Sequence, residues 1–594
     1  MNCTIENIYY YPIKSGNNVA LDKTNLTFAG IVGDRKWALV SPNYTALPNG
    51  EWMPCDSLER FKIQPKMATW KTDVTDTGIR LTVEGQDFHI IEGEKVVIND
   101  RQVQLVRANK GYWDDKDASI SIINLNTIEA ISKAIGIELD PIRFRANIYV
   151  RAEPLSEFHW LGKQLHIGEA TLQITMPTDR CRAISVDPDT GEITHNIPAQ
   201  LAKHFGHTYC GVYATVIEEG EIKVGALGQV QDETMLEQNK LEQLDIHYTN
   251  DWPRSVQVVD IIEEADGICS LWLRDSLAQM GVWESYKEGQ HVRLHGLKTD
   301  SELSGTWRSY TVSKRQDDLF RITVKRGDGE GSKHIHSLKV NDKILMTGPK
   351  GELTVPKQAT SLYFMTAGIG ITPAIAMLAG LTGFEGAIHF IHTTKLEQLA
   401  LWHEIEDFAC ERANVNCTLF ISNTDISTLK NSTIQANFSS KTLLKSGRPD
   451  MTQLAQRMHD EGAHVIVCGP SNFSSKILTA LETENIPIER IGSETFISAS
   501  IDAEFREPTS KGPHTVRFTQ SDIEATWQAS DGTLLDLAEQ HGLIPTSHCR
   551  AGICGVCKVD LSAGKVEQLA GNVLSDNNVL LCCSVPVGNV EIKL

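Results

Sequence analysis

Near the end of the chain, Ser547-His548-Cys549-Arg550-Ala551-Gly552-Ile553-Cys554-Gly555-Val556-Cys557 sets three thiols at the spacing C-x4-C-x2-C. Thiolates are soft ligands suited to iron. A tight loop bearing Gly552 and Gly555 lets cysteines and backbone N–H groups converge on one cluster. With a distant fourth cysteine, this is the spacing of a [2Fe–2S] centre rather than of a zinc site. The fourth thiolate is Cys582 or Cys583, in Leu581-Cys582-Cys583-Ser584-Val585-Pro586. A further thiol, Cys181, stands between Arg180 and Arg182. Cationic neighbours are expected to lower its pKa and favour the thiolate, the form needed in a metal ligand or a nucleophile. Tyr11-Pro12-Ile13-Lys14-Ser15-Gly16, Gly33-Asp34-Arg35 and Arg143-Phe144-Arg145-Ala146-Asn147 are further basic or polar clusters. Each alone reads as solvated surface; together they suggest an anion pocket with a thiolate in it. Glycine-bearing turns form a third set: Gly329-Glu330-Gly331-Ser332, Gly348-Pro349-Lys350-Gly351, Gly368-Ile369-Gly370-Ile371-Thr372-Pro373 and Cys468-Gly469-Pro470.

Several domains must position these groups. At about 150 residues per domain, 594 residues predict about four. Lys plus Arg is 56 and Asp plus Glu is 76, a net charge of −20. That balance argues against a nucleic-acid polymer as partner, because phosphate binding needs a basic face. Apolar content of 41% and charge of 22% suit globular domains. Thirteen cysteines over this length make no disulfide scaffold. Met1 to Gly16 has no long apolar run, so no signal peptide is expected. Gln358 to Phe384 carries no charge and is long enough to span a bilayer. Its two glycines and Pro373 favour a break between a buried strand, Ser361 to Thr366, and a helix, Pro373 to Leu381. The expectation is a cytoplasmic protein with no membrane partner.

Polar stretches at 229–250 and 497–513 read as linkers. The first block alternates short β-like runs with turns, as at Trp37 to Val40, Ile79 to Val83 and Thr171 to Thr175. The middle block begins likewise and switches near residue 360 to strand–helix alternation, which suggests a β-barrel followed by an α/β nucleotide domain. In Arg308-Ser309-Tyr310-Thr311-Val312, period-2 alternation puts Arg308 and Tyr310 on one strand face and Thr311 on the other. The last block mixes short strands with one helical run, Leu534 to His541.

Residues 514–594 resemble the plant-type [2Fe–2S] ferredoxins. The resemblance selects Cys582 as the fourth ligand beside Cys549, Cys554 and Cys557, because Pro586 lies four residues beyond it. Residues 252–496 resemble the ferredoxin–NADP reductase superfamily. This implies that Arg308 pairs with a flavin phosphate, Tyr310 stacks on the isoalloxazine and Thr311 hydrogen-bonds near its N5. Gly331 and Ser332 would offer N–H groups to phosphate. Gly368, Gly370 and Thr372 would form the nucleotide turn, and Cys468, Gly469 and Pro470 would sit beside the nicotinamide. Ser493-Glu494-Thr495-Phe496 looks like the family's terminal Glu-x-Phe. The strand ending Ile391-His392-Thr393-Thr394-Lys395 lacks the arginine often used for a 2′-phosphate, so NADH and NADPH both stay open, as do FAD and FMN.

Residues 1–228 resemble the MOSC superfamily, in its YcbX-like and mitochondrial amidoxime-reducing-component branch. The likeness includes Val186-Asp187-Pro188-Asp189-Thr190-Gly191 and Ile222-Lys223-Val224-Gly225. It implies that Cys181 ligates the molybdenum of a molybdopterin cofactor, held by Lys14, Ser15, Arg35, Arg145, Asn147, Arg180 and Tyr213. Ala146 stands where the family usually has the proline of Arg-Pro-Asn. A serine near Asp117-Ala118-Ser119 is a further candidate contact.

The expected fold class is multidomain, α+β and α/β. It comprises a MOSC N-terminal β-rich subdomain (1–95), a MOSC barrel domain (96–228), a linker (229–250), a flavin-binding antiparallel β-barrel (251–355), a doubly wound NAD(P)-binding domain (356–496), a second linker (497–513) and a C-terminal β-grasp ferredoxin (514–594). A nicotinamide delivers two electrons at once, a flavin can release them singly, a [2Fe–2S] cluster carries one, and molybdenum can collect two. The implied function is a self-contained NAD(P)H-dependent molybdenum oxidoreductase. Its internal ferredoxin domain would be the carrier, and its substrates small N-oxygenated compounds such as hydroxylamines, amidoximes or hydroxylaminopurines. The alternative is a flavin/iron–sulfur reductase for a separate oxygenase or acceptor, with the MOSC block as a docking or sulfur-carrier module.

Overall fold

The computed structural model describes residues 2–594 apart from 232–245, 426–437, 497–507, 546–556, 570–576 and the positions 62–63, 117, 196, 297, 300–301, 304–306, 352, 357, 542 and 544. The chain forms two compact units, one built essentially on residues 1–255 and one on residues 256–594, with short exchanges near 300–307 and 345–347.

In the first unit an eight-stranded sheet runs Ile148–Arg151, Ile120–Asn124, Tyr209–Glu218, Ala170–Asp179, Gln164–Ile167, Leu227–Val230, Asn2–Tyr10, Val19–Leu21. Asn2–Tyr10 also pairs with Ile148–Arg151, which closes seven of these strands into a barrel and leaves Val19–Leu21 as a flap on Asn2–Tyr10. Two expected boundaries change here. The first strand belongs to the barrel, so the two N-terminal parts interleave instead of meeting at residue 95. Leu227–Val230 pairs with Asn2–Tyr10 and Gln164–Ile167, which carries the barrel past residue 228. Gln229 faces out while Val230 is buried, so a strand end looks polar in the sequence. A smaller β-rich part, with the sheets Lys71–Val74/Gly78–Val83/Gln86–Ile91 and Trp37–Val40/Arg101–Arg107/Lys95–Ile98, closes over its own core of Trp37, Leu39, Trp70, Leu81 and Leu105.

The second unit opens with a seven-stranded antiparallel sheet in which Arg308–Thr311 is an edge strand beside His291–His295. A six-stranded parallel sheet follows, in the order Thr442–Ser446, Val415–Ile421, Ala387–Thr394, Ser361–Ala367, His464–Pro470, Ile491–Phe496. Helices cover both faces. Leu362 and Phe364 pack in one core with helix Trp402–Cys410, and Tyr363 and Met365 pack in another with helix Ser471–Thr483. Burial on both faces explains why this stretch is apolar enough to look like a membrane segment. Among the described residues, no helix is long and apolar enough to cross a membrane. The expected helix over Pro373 to Leu381 is the helix Thr372–Met377 and then a 3-10 turn, Ala379–Leu381.

The last part is a five-stranded mixed sheet with a parallel pair, His514–Phe518 and Val590–Ile592. Helix Leu534–Gln540 packs on it, started by a capping box in which the Thr533 hydroxyl accepts from the Asp536 N–H and the Asp536 carboxylate accepts from the Thr533 N–H.

In the barrel, the fully buried Glu157 accepts hydrogen bonds from the Asn124 amide (3.1 Å) and the Thr127 hydroxyl (2.9 Å). Burial pushes its carboxyl up to about 7, against the pull of those donors. The folded state therefore keeps a proton that the unfolded chain has already released, and stability falls as pH rises from about 4.5 to about 7. Denaturation of the barrel followed across that window should show this slope, and Glu157→Gln should flatten it.

Candidate active site

Seven predicted residues and Cys181 meet in one cavity of about 300 Å³ in the first unit. They reach it from distant parts of the chain. Lys14 and Ser15 follow the first strand, and Arg35 follows the turn at Gly33. Arg145 and Asn147 lie on the approach to Ile148–Arg151, Arg180 and Cys181 follow Ala170–Asp179, and Tyr213 sits within Tyr209–Glu218. Ser15 (φ 58°), Arg35 (φ 46°) and Arg145 (φ 53°) adopt the left-handed region, which costs non-glycine residues about 1–3 kcal/mol each.

The wall is made of buried cations. Lys14, Arg35 and Arg180 are each less than a tenth exposed. Arg35 donates to Asp34 Oδ2 (2.6 Å) and to the Arg145 carbonyl (2.8 Å); Arg145 donates to the Gly16 carbonyl (2.7 Å). Arg180 donates to the carbonyls of Cys210 (2.7 Å) and Phe144 (3.0 Å). The buried Tyr11 ring receives the guanidiniums of both Arg35 and Arg145, 4.5 and 4.3 Å from its centroid. Burial lowers the Arg145 pKa to about 10, with Arg35 adding to the effect and Tyr11 opposing it. Burial also opposes charge on Arg35, but Asp34 outweighs it and holds the group firmly protonated. The Arg180 guanidinium is committed to carbonyls rather than to the thiol of Cys181, which lies exposed.

Asn147 lines the cavity and also braces the strands around it. Its Oδ1 accepts from the Ser121 N–H and hydroxyl, and its amide donates to the Tyr9 carbonyl, so it ties three strands together behind the cavity. Ala146 has an N–H that donates to the Tyr149 hydroxyl (3.1 Å), a bond proline could not make.

Two lining residues were missed by sequence reasoning. Asp114 forms an ion pair with Lys14 and accepts from the Cys55 thiol (3.2 Å) and the Tyr213 hydroxyl (3.3 Å). Cys55 lies 3.4 Å from Lys14 Nζ. Neither follows from local spacing, since they approach Lys14 only through the fold. Burial would raise the Asp114 pKa, but Lys14 and Arg35 overcome it and hold the carboxyl well below the usual range. Its side chain is 59% accessible, so the neighbouring cations decide its charge. Burial pushes the Cys55 thiol up to about 11, Lys14 pulls it down and Asp114 pushes it up again. Burial and then Asp114 keep the Tyr213 phenol protonated.

The donor set fits a multiply charged anion. Arg60 Nε, Arg143 Nε, Arg145 Nη2, Arg180 Nη2 and Trp113 Nε1 all belong to lining residues and are buried with no hydrogen-bond partner. Five unmatched donors are an unusual excess, and acceptor oxygens would satisfy them. A pterin phosphate has those acceptors.

In the second unit, the Gly368–Gly370 turn leaves the parallel sheet where the strand order reverses, between Ser361–Ala367 and its neighbours. Open α/β sheets bind nucleotides at such a switch point. Gly368 has φ +53°, and a Cβ on Gly370 would meet the Cys468 carbonyl oxygen at 2.4 Å. Cys468, Gly469 and Pro470 end the adjacent parallel strand, so the turn and the Cys-Gly-Pro run lie at the same end of the sheet. The Thr372 hydroxyl donates to Thr311 (3.4 Å), joining the turn to the edge strand with Arg308 and Tyr310. Thr311 is buried, while Arg308, Ser309 and Tyr310 are all half-buried. Gly331 and Ser332 lie in the first turn of helix Glu330–Ser337, and the Ser332 hydroxyl is tied to the Gly327 and Gly329 carbonyls.

In the last part, Cys557 and Cys582 are both buried in one core. The Leu581 N–H donates to the Cys557 carbonyl (3.2 Å), which brings the two cysteines' segments together. Cys583 is fully buried, with its thiol toward the Leu580 carbonyl. Cys549 and Cys554 lie outside the described residues, and among the described residues no group of three or more His, Cys, Asp or Glu side chains is arranged for a metal.

Family models match in four places: a MOSC N-terminal beta barrel domain over residues 2–123, a MOSC domain over 100–227, an oxidoreductase FAD-binding domain over 271–355 and a 2Fe-2S iron-sulfur cluster binding domain over 518–587. The chain is a fusion of MOSC, flavin-reductase and [2Fe–2S] ferredoxin domains. The match to an FAD-binding domain supports FAD among the two flavins. The chain is 26% identical over 361 residues to the glycine betaine monooxygenase reductase subunit of Pseudomonas aeruginosa, covering 57% of this chain and 94% of that one. It is 26% identical over 357 residues to the NADH oxidoreductase HCR of Escherichia coli, covering 58% and 98%. Among solved structures, phthalate dioxygenase reductase aligns with 18% identity and a TM-score of 0.34, covering 58% of this chain and all of that one.

Because Asp114 raises the Cys55 pKa and Lys14 lowers it, Asp114→Asn should make Cys55 alkylate faster near pH 8, and Lys14→Gln should make it slower. Iodoacetamide labelling followed by peptide mass spectrometry reads both.

Proposed function

We propose that the chain is a NAD(P)H-dependent flavin/iron–sulfur oxidoreductase whose electrons leave FAD through the [2Fe–2S] cluster and end at a molybdenum cofactor in the N-terminal cavity. There an N-hydroxylated compound is reduced. Its N–O bond breaks, two electrons and two protons enter, and water leaves. The observation that carries this reading is the surplus of buried, unmatched donors around Cys181.

A bound molybdenum–pterin group would supply a two-electron centre able to accept an oxygen atom. The chain's own groups do the rest. Lys14, Arg35, Arg145 and Arg180 neutralise and orient its phosphate, and Ser15 adds a hydroxyl. Cys181 offers its sulfur as a ligand from the cavity mouth. Tyr213 keeps its proton at the phenolic oxygen beside Asp114. Trp113, Phe61 and Phe144 exclude water from the reacting region. In the second unit, Arg308 would hold the flavin phosphate, and Tyr310 and Thr311 would bind its ring system. Gly370 admits the nicotinamide, with Cys468 beside it. Cys549, Cys554, Cys557 and Cys582 hold the cluster.

The names of the relatives favour a second reading. A glycine betaine monooxygenase reductase subunit implies a separate oxygenase as acceptor, and on that reading the MOSC block is a docking or sulfur-carrier module. The two part on one variant. Under our proposal Cys181→Ala abolishes NADH oxidation driven by a hydroxylaminopurine, by about a hundredfold or more, while cytochrome c reduction through flavin and cluster persists. Undiminished substrate reduction in Cys181→Ala refutes the molybdenum role. Purified protein without molybdenum, from cells that make the cofactor, favours the second reading.

A further inference from the structure

The cavity around Cys181 is lined by the cations Lys14, Arg35, Arg60, Arg143, Arg145 and Arg180, yet it also contains two carboxylates, Asp114 and Asp179. Asp179 ends a strand and accepts from the Thr208 hydroxyl. Asp114 is different. Three separate segments aim donors at it: Lys14, the Cys55 thiol and the Tyr213 hydroxyl. These fix the carboxylate in place but do not saturate it, since two carboxylate oxygens offer about four acceptor sites. The side chain remains 59% accessible. Trp113 precedes it, and Phe61 and Phe144 line the same space, so a flat apolar body has walls to lie against while one end meets the negative charge.

An anionic cofactor would occupy the arginines and leave Asp114, ion-paired with Lys14 yet 59% accessible, as a carboxylate facing a small substrate. Resting on the functional reading above, we propose that Asp114 is the specificity residue of this site. It selects compounds that carry an amidinium or similarly N–H-rich group next to the reacting nitrogen, and it disfavours anionic analogues and isosteres that lack that pair of donors. A charge-assisted pair of N–H donors on one carboxylate is the interaction that discriminates. No bond is made or broken by Asp114; it orients the substrate.

The test is isothermal titration of the purified, oxidised full chain with benzamidine and with its neutral isostere benzamide. Wild-type protein should bind benzamidine about tenfold or more tightly than benzamide, a preference corresponding to about 1.4 kcal/mol. Asp114→Asn should erase the preference, and Asp114→Glu, which keeps the charge, should largely restore it. No preference in the wild type, an unchanged preference in Asp114→Asn, or loss in both variants overturns the proposal. Electron transfer plays no part in this titration. A chain that passes it but reduces no N-hydroxylated compound keeps the role of Asp114 and loses the functional reading.

Discussion

The N-terminal module depends on keeping several like charges buried together. Isolated cations moved out of water carry a large desolvation cost, and Arg35, Arg145 and Arg180 crowd one cavity. The chain offsets that cost with carboxylates at Lys14 and Arg35, and with backbone carbonyls and aromatic faces at Arg145 and Arg180. Arg180 uses two carbonyls, Arg145 uses the Gly16 carbonyl, and the Tyr11 ring meets the guanidiniums of Arg35 and Arg145. Carbonyls and ring faces hold a guanidinium in position without neutralising it. The net positive potential survives, and an anion can still be attracted.

The same arrangement explains the local geometry. Ser15, Arg35 and Arg145 take left-handed backbone conformations because each must turn its side chain or amide into the cavity from the end of an otherwise regular element. The closed barrel supplies the rigidity that tolerates this strain at Ser15 and Arg145, since Asn2–Tyr10 and Ile148–Arg151 are paired within it and tied by Asn147. The nucleotide-type domain follows a comparable logic with glycine instead of charge. Gly370 allows the turn to approach the Cys468 carbonyl, closer than any side chain would permit.

Much of this was legible in the sequence because it is local. The period-2 pattern around Tyr310, the uncharged run through Phe364 and the glycine turn each name their element from within a dozen residues. The cavity was legible as a set of basic clusters, and resemblance assigned them. What escaped were pairings made only by the fold. Cys55 and Asp114 stand in ordinary polar segments, and nothing near them signals that Lys14 will arrive between them. Reading Arg180 as an activator of Cys181 rested on adjacency in sequence, whereas the side chain turns away to the Cys210 and Phe144 carbonyls. The interleaving of the first strand into the barrel was invisible for the same reason, since strand pairing over more than a hundred residues leaves no local mark.

Fusion of a reductase with a cation-lined cavity has its clearest meaning if reducing equivalents from the pyridine nucleotide reach that cavity. Electron paramagnetic resonance of the full chain, reduced anaerobically with NADH or NADPH alone, addresses this directly. The account predicts a molybdenum(V) resonance growing alongside the signal of the reduced [2Fe–2S] cluster. A reduced cluster with no molybdenum signal, in protein that contains the metal, would contradict it.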